Sequence, residues 1–224
     1  MKVVMGLSGG MDSATLLGML LNKGAEVHCC HFQYGAKHNS FEYKAINQII
    51  GYYIEKGSSI QLHEFNLEAV FSQFQSNLLQ HGGEIPEGHY EKDSMKLTVV
   101  PGRNTIFSSI MMGLAESIGA KTIALGVHSG DHHIYPDCRD SFIASLRTTV
   151  DEATEGKVNV ETPLLREDKT AILKIGYGLP VSIPYHLTRT CYKAQEKSCG
   201  KCGSCQERLE AFTNINKTDP IDYE

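Results

Sequence analysis

The stretch that decides the fold is Ser8-Gly9-Gly10-Met11-Asp12-Ser13. It follows an apolar run at residues 3–7 and precedes residues 14–21, whose apolar side chains recur with helical spacing. This order predicts a buried strand, a tight turn and a crossover helix. Two adjacent glycines permit backbone dihedrals that other residues avoid, and they let a ligand approach the main chain closely.

Such a loop is a candidate phosphate site. Its N–H groups and those of the first helical turn point to one spot, where Ser8 and Ser13 add hydroxyl donors. Asp12 would repel a bare phosphate, so its presence indicates a Mg²⁺ between carboxylate and phosphate. The loop is neither a Walker A motif nor a dinucleotide fingerprint, because it lacks the Gly-Lys-Ser/Thr of the first and the third glycine of the second. The alternative is a glycine-rich turn in which Asp12 only caps the helix.

Length, composition and net charge restrict the number of domains and the class of protein. A chain of 224 residues with 41% hydrophobic residues fits one α/β domain with a small appendage. A net charge of −5 argues against a surface devoted to nucleic acid. The sequence has neither a bilayer-length apolar stretch nor a signal-peptide pattern at its start, so we expect a cytoplasmic protein.

Strand-like and helix-like segments alternate along the chain, which predicts a parallel sheet. Further strands are predicted at residues 26–32, 60–65, 121–127 and 158–164, and further helices at 39–56, 105–119, 142–153 and 169–177. Residues 66–98 are irregular after a short helix, which leaves a mobile lid and a solvated insertion as alternatives. The loops at Ser8, Pro101 and His128 follow strands or lie close after them, so they should converge on one crevice.

Four of the seven cysteines form a metal-binding pattern, Cys191-x₇-Cys199-x₂-Cys202-x₂-Cys205. Four thiolates at this spacing can close a tetrahedron around Zn²⁺, and a closed site is structural rather than catalytic. An iron–sulfur cluster is the alternative, although neither common ferredoxin spacing is present. Cys29 and Cys30 lie in a predicted strand and are expected to pack there.

Three stretches narrow the interpretation further: Val-Pro-Gly-Arg-Asn at 100–104, Tyr-Pro-Asp-Cys-Arg at 135–139, and the cysteine set that follows Thr190. Together with the loop at Ser8, and in this order, they resemble the 7-cyano-7-deazaguanine synthases of the PP-loop (N-type ATP pyrophosphatase) superfamily. The resemblance implies a Rossmann-like α/β fold of the adenine nucleotide alpha hydrolase type. It also implies an ATP pyrophosphatase domain at 1–185 and a zinc-binding helical module at 186–224.

The resemblance implies an activity as well. Enzymes of this family are ATP-dependent carbon–nitrogen ligases that convert 7-carboxy-7-deazaguanine and ammonia into 7-cyano-7-deazaguanine through adenylated intermediates, in queuosine biosynthesis. ATP, Mg²⁺ and one structural Zn²⁺ are the implied cofactors. A homodimer is the implied assembly, and neither a membrane nor nucleic acid is an expected partner.

Site residues carry over position by position. ATP and its phosphates are assigned to Ser8, Gly9, Gly10, Met11, Asp12, Ser13, Arg103 and Asn104, and zinc to Cys191, Cys199, Cys202 and Cys205. The catalytic set is Asp12, Ser13, Arg103, Asp131, Asp137 and Arg139, of which the last three should line the deazaguanine pocket. For each of these the alternative is an ordinary loop charge.

The chain departs from the family near the expected pocket. The family usually carries Asn and a Tyr-Ser-Gly-like run where His128 and residues 132–134 stand here, and Trp where Arg189 stands. These departures leave open an enzyme that stops at the amide, or a tRNA-modifying ATP pyrophosphatase. A non-catalytic nucleotide-binding module is a further alternative. Cys138 is a candidate covalent nucleophile, and direct attack by ammonia is the alternative to it.

Overall fold

A five-stranded parallel sheet organises the chain in the computed structural model, which describes residues 1–88, 93–128, 130 and 134–224. The strand order is β3-β2-β1-β4-β5. The strands are β1 (Lys2–Gly6), β2 (Glu26–Gln33), β3 (Ile60–Asn66), β4 (Thr122–Ala124) and β5 (Asn159–Glu161). The reversal of strand order on either side of β1 places a crevice at its carboxyl end, where the Ser8 loop begins. The predicted Rossmann-like parallel sheet is confirmed.

Helices connect the strands and cover both faces of the sheet. They are α1 (Met11–Asn22), α2 (Asn39–Ile54), α3 (Glu68–Phe71), α4 (Arg103–Ile118), α5 (Asp140–Ala153), α6 (Lys169–Gly178) and α7 (Gly203–Asn214). Short 3₁₀ helices lie at Asp93–Thr98, Pro136–Cys138 and Tyr185–Leu187.

Alternation along β1 divides the apolar interior into two cores. Val4 packs with Met111 of α4 and Ile143 of α5 on one face of the sheet. Val3 and Met5 face the other side, against a core built from α1, α2, α6 and α7. Because both faces are covered, the central strands are apolar on both sides, as parallel strands require.

Two local predictions differ from the structure. The strand predicted at 121–127 ends at Ala124, because pairing with β1 stops at Met5 where that chain turns into the phosphate loop. Asparagine at position 39 is a residue type that predicts an N-cap for α2, but Asn39 is the first helical residue. Its Oδ1 instead accepts the N–H groups of Tyr34 and Ala36 at 3.2 and 2.8 Å, which fixes the loop before the helix.

The irregular segment at 66–98 packs against the body of the protein where it is described. Phe71, Leu78 and Met95 are buried in the same core as Val4. The predicted helix there has only four residues, because the chain turns away after Phe71. Among the described residues no helix is both long and apolar enough to cross a membrane.

Candidate functional site

The phosphate loop has the backbone geometry that its sequence predicts. Gly9 has a φ of +74°, and a Cβ there would lie 3.0 Å from Ala45 Cβ and from the carbonyl oxygen of Glu42. Only glycine fits this position, because both the dihedral and the close approach to α2 exclude a side chain. The hydroxyls of Ser8 and Ser13 lie 3.1 Å apart, directly before and within the first turn of α1. The loop therefore places two hydroxyls beside the N–H groups of the first turn of α1, which have no partner within the helix.

Asp12 lies at the centre of a small charge network. Its Oδ2 is 3.3 Å from Lys169 Nζ and 3.6 Å from His128 Nε2, and Lys169 Nζ also lies 2.8 Å from Glu207 Oε2. Burial raises the pKa of the Asp12 carboxyl, but the charges of Lys169 and His128 outweigh burial, so the pKa is lowered overall. Asp12 is ionised at neutral pH. Its Oδ1 is buried and has no hydrogen-bond partner in the part of the chain that the structure describes.

A second group of site residues surrounds the start of α4. The N–H and side-chain amide of Asn104 bond to the Oδ2 and carbonyl oxygen of Asp137 at 3.0 and 3.1 Å. The same amide donates to the Sγ of Cys138 at 3.3 Å. Arg103 stacks over the ring of Tyr135, with its guanidinium carbon 5.7 Å from the ring centroid. The 3₁₀ helix at Pro136–Cys138 therefore holds the beginning of α4 in place.

These groups line one cavity of about 230 Å³ at the carboxyl ends of β1, β2 and β4. Of the residues predicted from sequence, the lining includes Ser8, Gly10, Asp12, Ser13, Arg103 and Asn104. Aromatic walls come from Phe32, Tyr34, Phe107, Tyr135 and Tyr192. A cavity that joins a phosphate loop to an aromatic, partly charged wall has the chemistry to bind a nucleotide phosphate and a flat heterocycle.

Several predicted residues lie elsewhere. Asp137 and Arg139 are absent from the described lining of the cavity; the first caps α4 and the second is exposed. Gly9 and Met11 are buried behind the loop, so their contribution is backbone geometry. Asp131 lies outside the described residues, as do His132 and His133.

The lining also contains charged and imidazole side chains outside the predicted site, namely those of Lys169, His31, His38 and Glu42. Lys169 is only 5% exposed at the start of α6, and a lysine so deeply buried signals a partner of opposite charge. No local motif marks it, because its partners Asp12 and Glu207 come from distant parts of the chain. His31, His38 and Glu42 follow the pattern of an ordinary strand end and helix start.

The C-terminal cysteines form a compact metal-ligand set. The four Sγ atoms all lie within 4.8 Å of one another, and all four residues are buried. The Sγ atoms of Cys199 and Cys205 are 3.9 Å apart, close to the edge of about 3.8 Å of a tetrahedron with Zn–S distances of about 2.3 Å. Backbone N–H groups of Lys201 and Cys202 donate to the Cys199 sulfur at 3.5 and 3.3 Å, which stabilises a thiolate.

Arg189 links this cysteine set to the phosphate loop. Its backbone N–H donates to the carbonyl oxygen of Gly9 at 2.7 Å. Its guanidinium donates to the carbonyl oxygens of Lys193, Gln195 and Glu196 and lies 4.7 Å from the centroid of the Phe41 ring. Arg189 thus stacks on an aromatic ring and fixes the segment between the first two cysteines.

The two strand cysteines are packing residues, as their pattern indicates. Cys29 and Cys30 are fully buried in opposite cores. Burial raises the pKa of the Cys30 thiol to about 12 and raises that of Cys29 further, so both remain protonated at neutral pH.

Comparison with known proteins agrees with this site. Residues 2–216 match the family model described as "Queuosine biosynthesis protein QueC". A protein of Marinomonas sp. named 7-cyano-7-deazaguanine synthase is 42% identical over 100% of this chain and 98% of its own length. One of the same name from Pseudoalteromonas atlantica is 43% identical, over 100% of this chain and 99% of its own. The chain is a member of the QueC family of queuosine biosynthesis proteins, and it is an enzyme of the ATP-dependent PP-loop type.

Proposed function

We propose that this enzyme converts 7-carboxy-7-deazaguanine and ammonia into 7-cyano-7-deazaguanine at the expense of ATP. The observation that carries the proposal is the single cavity that joins the phosphate loop and Asp12 to Arg103 and the aromatic wall. Family membership over nearly the whole chain supports the same reaction.

The reaction needs both the phosphate loop, which would bind ATP, and the surroundings of Arg103, which would bind the carboxylate substrate. A carboxylate is a poor electrophile, so one of its oxygens must first become part of a leaving group. Attack of that oxygen on the α-phosphorus of ATP releases pyrophosphate and leaves an acyl adenylate. Ammonia then displaces AMP to give the amide, and a second adenylation, now of the amide oxygen, permits loss of AMP and formation of the nitrile.

The phosphate loop serves both activation steps. Negative charge develops on phosphate oxygens at the N-terminus of α1, where the N–H groups of the first helical turn and the hydroxyls of Ser8 and Ser13, 3.1 Å apart, lie together. Lys169 lies within 3.3 Å of Asp12 and adds a fixed positive charge to the same wall.

Asp12 is the proposed ligand of Mg²⁺. Its buried Oδ1 has no hydrogen-bond partner among the described residues, and a carboxylate oxygen is a ligand that Mg²⁺ prefers. When bound, the ion would neutralise charge on the ATP phosphates. The chain's own contribution is to hold the carboxylate ionised and oriented through Lys169 and His128.

Arg103 is the proposed partner of the substrate carboxylate. It lies on the cavity between Tyr34 and Tyr135, and a guanidinium pairs with a carboxylate through charge-assisted hydrogen bonds. Asn104 is held beside it by Asp137. The deazaguanine ring would stack within the aromatic wall. Asp131, Asp137 and Arg139 remain proposals for this pocket, with Asp137 acting through Asn104.

Zinc is the proposed occupant of the four-cysteine set. The set fits it, because four buried sulfurs converge at tetrahedral spacing and leave no position for substrate. We assign residues 1–185 to the ATP pyrophosphatase domain and 186–224 to the zinc-binding module. The family resemblance supports a cytoplasmic homodimer.

The test is release of pyrophosphate from ATP by the purified enzyme in the presence of Mg²⁺. The proposal predicts that release requires 7-carboxy-7-deazaguanine and does not respond to unmodified transfer RNA. Stimulation by transfer RNA alone would favour the alternative, a tRNA-modifying ATP pyrophosphatase.

A further inference from the structure

Besides the phosphate loop and the surroundings of Arg103, the cavity has a polar wall formed by His31, His38 and Glu42. The reaction steps described above do not use these three residues. His38 immediately precedes α2, and Glu42 lies one turn further along the helix. The Nε2 of His38 is 3.4 Å from Glu42 Oε1, and the side-chain amide of Asn39 donates to Glu42 Oε2 at 3.2 Å. Each carboxylate oxygen of Glu42 therefore has a donor nearby, and its side chain is only 13% exposed. A negative charge is held in place on the cavity.

Two buried ring nitrogens on this wall have no hydrogen-bond partner among the described residues. His38 Nδ1 and His31 Nε2 make no hydrogen bond to any residue that the structure describes, and the two residues are 4% and 1% exposed. We assign the proton of the neutral imidazole to Nε2, which faces the Glu42 carboxylate, so that Nδ1 offers a lone pair. Buried polar atoms are almost always paired, so an unpaired acceptor on a ligand cavity indicates a ligand with N–H or O–H donors.

The wall lies beside both parts of the reaction centre. A Cβ on Gly9 would come within 3.0 Å of the Glu42 carbonyl oxygen, so the phosphate loop rests on this turn of α2. The ring of His38 lies 5.6 Å from that of Tyr192, whose hydroxyl is 3.3 Å from the Tyr135 hydroxyl. Tyr135 in turn lies beneath Arg103. Burial raises the pKa of the Tyr34 phenol to about 12. The charge of Arg103 lowers this pKa and the charge of Glu42 raises it, so Tyr34 lies within the electrostatic range of both groups.

The proposed reaction needs a site for its smallest substrate. At neutral pH most ammonia is present as ammonium, which is a cation without a lone pair and cannot attack carbon. A site that uses it must attract the cation, accept its N–H groups and remove one proton. A fixed carboxylate beside a buried imidazole acceptor supplies these functions.

We propose that Glu42 and His38 form the ammonium-binding site of the enzyme, and that Nδ1 of His38 accepts the proton that converts ammonium into ammonia. This inference rests on the proposed function. The N–H bond of ammonium breaks and its electron pair stays on nitrogen, while the proton moves to His38. That pair forms the C–N bond to the acyl carbon, and the C–O bond to AMP breaks with its electrons leaving on AMP. The second proton leaves the new amide nitrogen for solvent water, because His38 already holds the first.

The test separates activation from nucleophilic attack. Glu42→Gln and His38→Gln are each compared with wild type for pyrophosphate release with 7-carboxy-7-deazaguanine in the absence of ammonium. They are then compared for amide formation from ammonium, and for hydroxamate formation from hydroxylamine, which is a weaker base and largely unprotonated at neutral pH. Glu26→Gln is the matched control, because Glu26 pairs with His28 at 3.2 Å outside the described cavity lining.

We expect both variants to keep the rate of pyrophosphate release and of hydroxamate formation within about threefold of wild type. Their kcat/KM for ammonium should fall by at least about tenfold, as expected when a group acts on one substrate only. The control should match wild type in all three assays. A purely structural role of the pair would lower the melting temperature and reduce all three rates together.

Unchanged use of ammonium by either folded variant would overturn the inference. So would a raised KM for ATP at unchanged ammonium dependence, since the wall would then bind the nucleotide. Two variants at separate residues keep the test decisive if one of them fails to fold. If wild type itself releases no pyrophosphate with the carboxylate substrate, the proposed function is contradicted, and the ammonium site with it.

Discussion

At the scale of single residues, Asp12 connects the phosphate loop to the rest of the chain. Its carboxylate is held by Lys169 and His128 on one oxygen, while the other oxygen is buried and unpaired within the described part of the structure. A buried oxygen without a donor is costly unless a ligand completes it. This geometry favours a metal-binding carboxylate over a helix cap.

Replacement of Asp12 by Asn tests this role, because it removes the charge and keeps the shape. We expect pyrophosphate release to fall by about 100-fold or more, the loss typical of removing one electrostatic contact to a developing charge. The fold should persist, since Lys169 keeps Glu207 at 2.8 Å. Kinetics as a function of Mg²⁺ and a thermal melt are the measurements. Asp151→Asn, on the exposed face of α5, is the control, and turnover of Asp12→Asn at the control's rate would exclude the metal role.

For Asp137, the sequence motif predicts the part of the fold in which the residue lies, but it does not predict which group the side chain contacts. Its motif predicts a pocket residue, whereas its carboxylate accepts the N–H of Asn104 at 3.0 Å and lies outside the described cavity lining. Nothing in the sequence shows this, because the partner lies on a different helix. Asp137 thus holds the first turn of α4, which carries Arg103 and Asn104.

At the scale of elements, the hydrogen bond from Asn104 to Asp137 joins α4 to the 3₁₀ helix at Pro136–Cys138, and its contribution to stability can be measured. Asp137→Ala should destabilise the protein by about 1–2 kcal/mol, the usual cost of losing a side-chain cap. Binding of the carboxylate substrate should weaken while the KM for ATP stays close to wild type. Chemical denaturation and substrate kinetics measure both effects, with Asp140→Ala as the control. Unchanged stability together with a large kinetic loss would show instead that Asp137 contacts the substrate directly.

The cysteine module is the second element whose chemistry can be measured. Wild-type protein should contain about one zinc per chain, since one four-sulfur set is present among the described residues. Cys202→Ser should lose most of this metal and melt at a lower temperature, because structural zinc contributes to folding.

Elemental analysis and a melting curve report both effects. Cys138→Ser is the matched control, since it removes a thiol that lies against Asn104 and not in the set, and it should retain its zinc. Iron and sulfide in the wild-type protein would contradict the zinc assignment and favour the iron–sulfur alternative.

Elements with strong local patterns were predictable, and their ends were not. Alternating and apolar runs identify β1 to β5, and the glycine pair identifies the turn at Gly9. The end of β4 depends on where β1 stops pairing, which no local pattern records.

At the scale of the whole molecule, the convergence of loops on one cavity follows from the parallel sheet, because its carboxyl ends share one edge. Only some of the residues that line this cavity can be predicted from the sequence. Ser8, Asp12 and Arg103 belong to recognisable motifs, but Lys169 and Glu42 reach the cavity from helices whose sequences read as ordinary. Long-range packing determines these placements, so a linear pattern cannot reveal them.

The C-terminal segment that carries the four cysteines is held together, and held to the rest of the chain, by contacts that no local motif marks. Arg208 of α7 is fully buried and forms two hydrogen bonds to Asp219, at 2.7 and 2.9 Å. It also bonds to the Tyr185 carbonyl oxygen, and Arg189 reaches Gly9. The bonds from Arg189 to Gly9 and from Arg208 to Tyr185 tie the cysteine-bearing segment to the phosphate loop and to the core that contains Val3 and Met5.

If one cavity converts a carboxylate into a nitrile, the product of the complete reaction mixture is the decisive observation. Wild-type enzyme is incubated with ATP, Mg²⁺, ammonium and 7-carboxy-7-deazaguanine, and the products are identified by mass spectrometry. We expect 7-cyano-7-deazaguanine, with one AMP and one pyrophosphate formed for each of the two oxygens removed. Accumulation of the amide alone, or recovery of unchanged substrate while ATP is consumed, would contradict it.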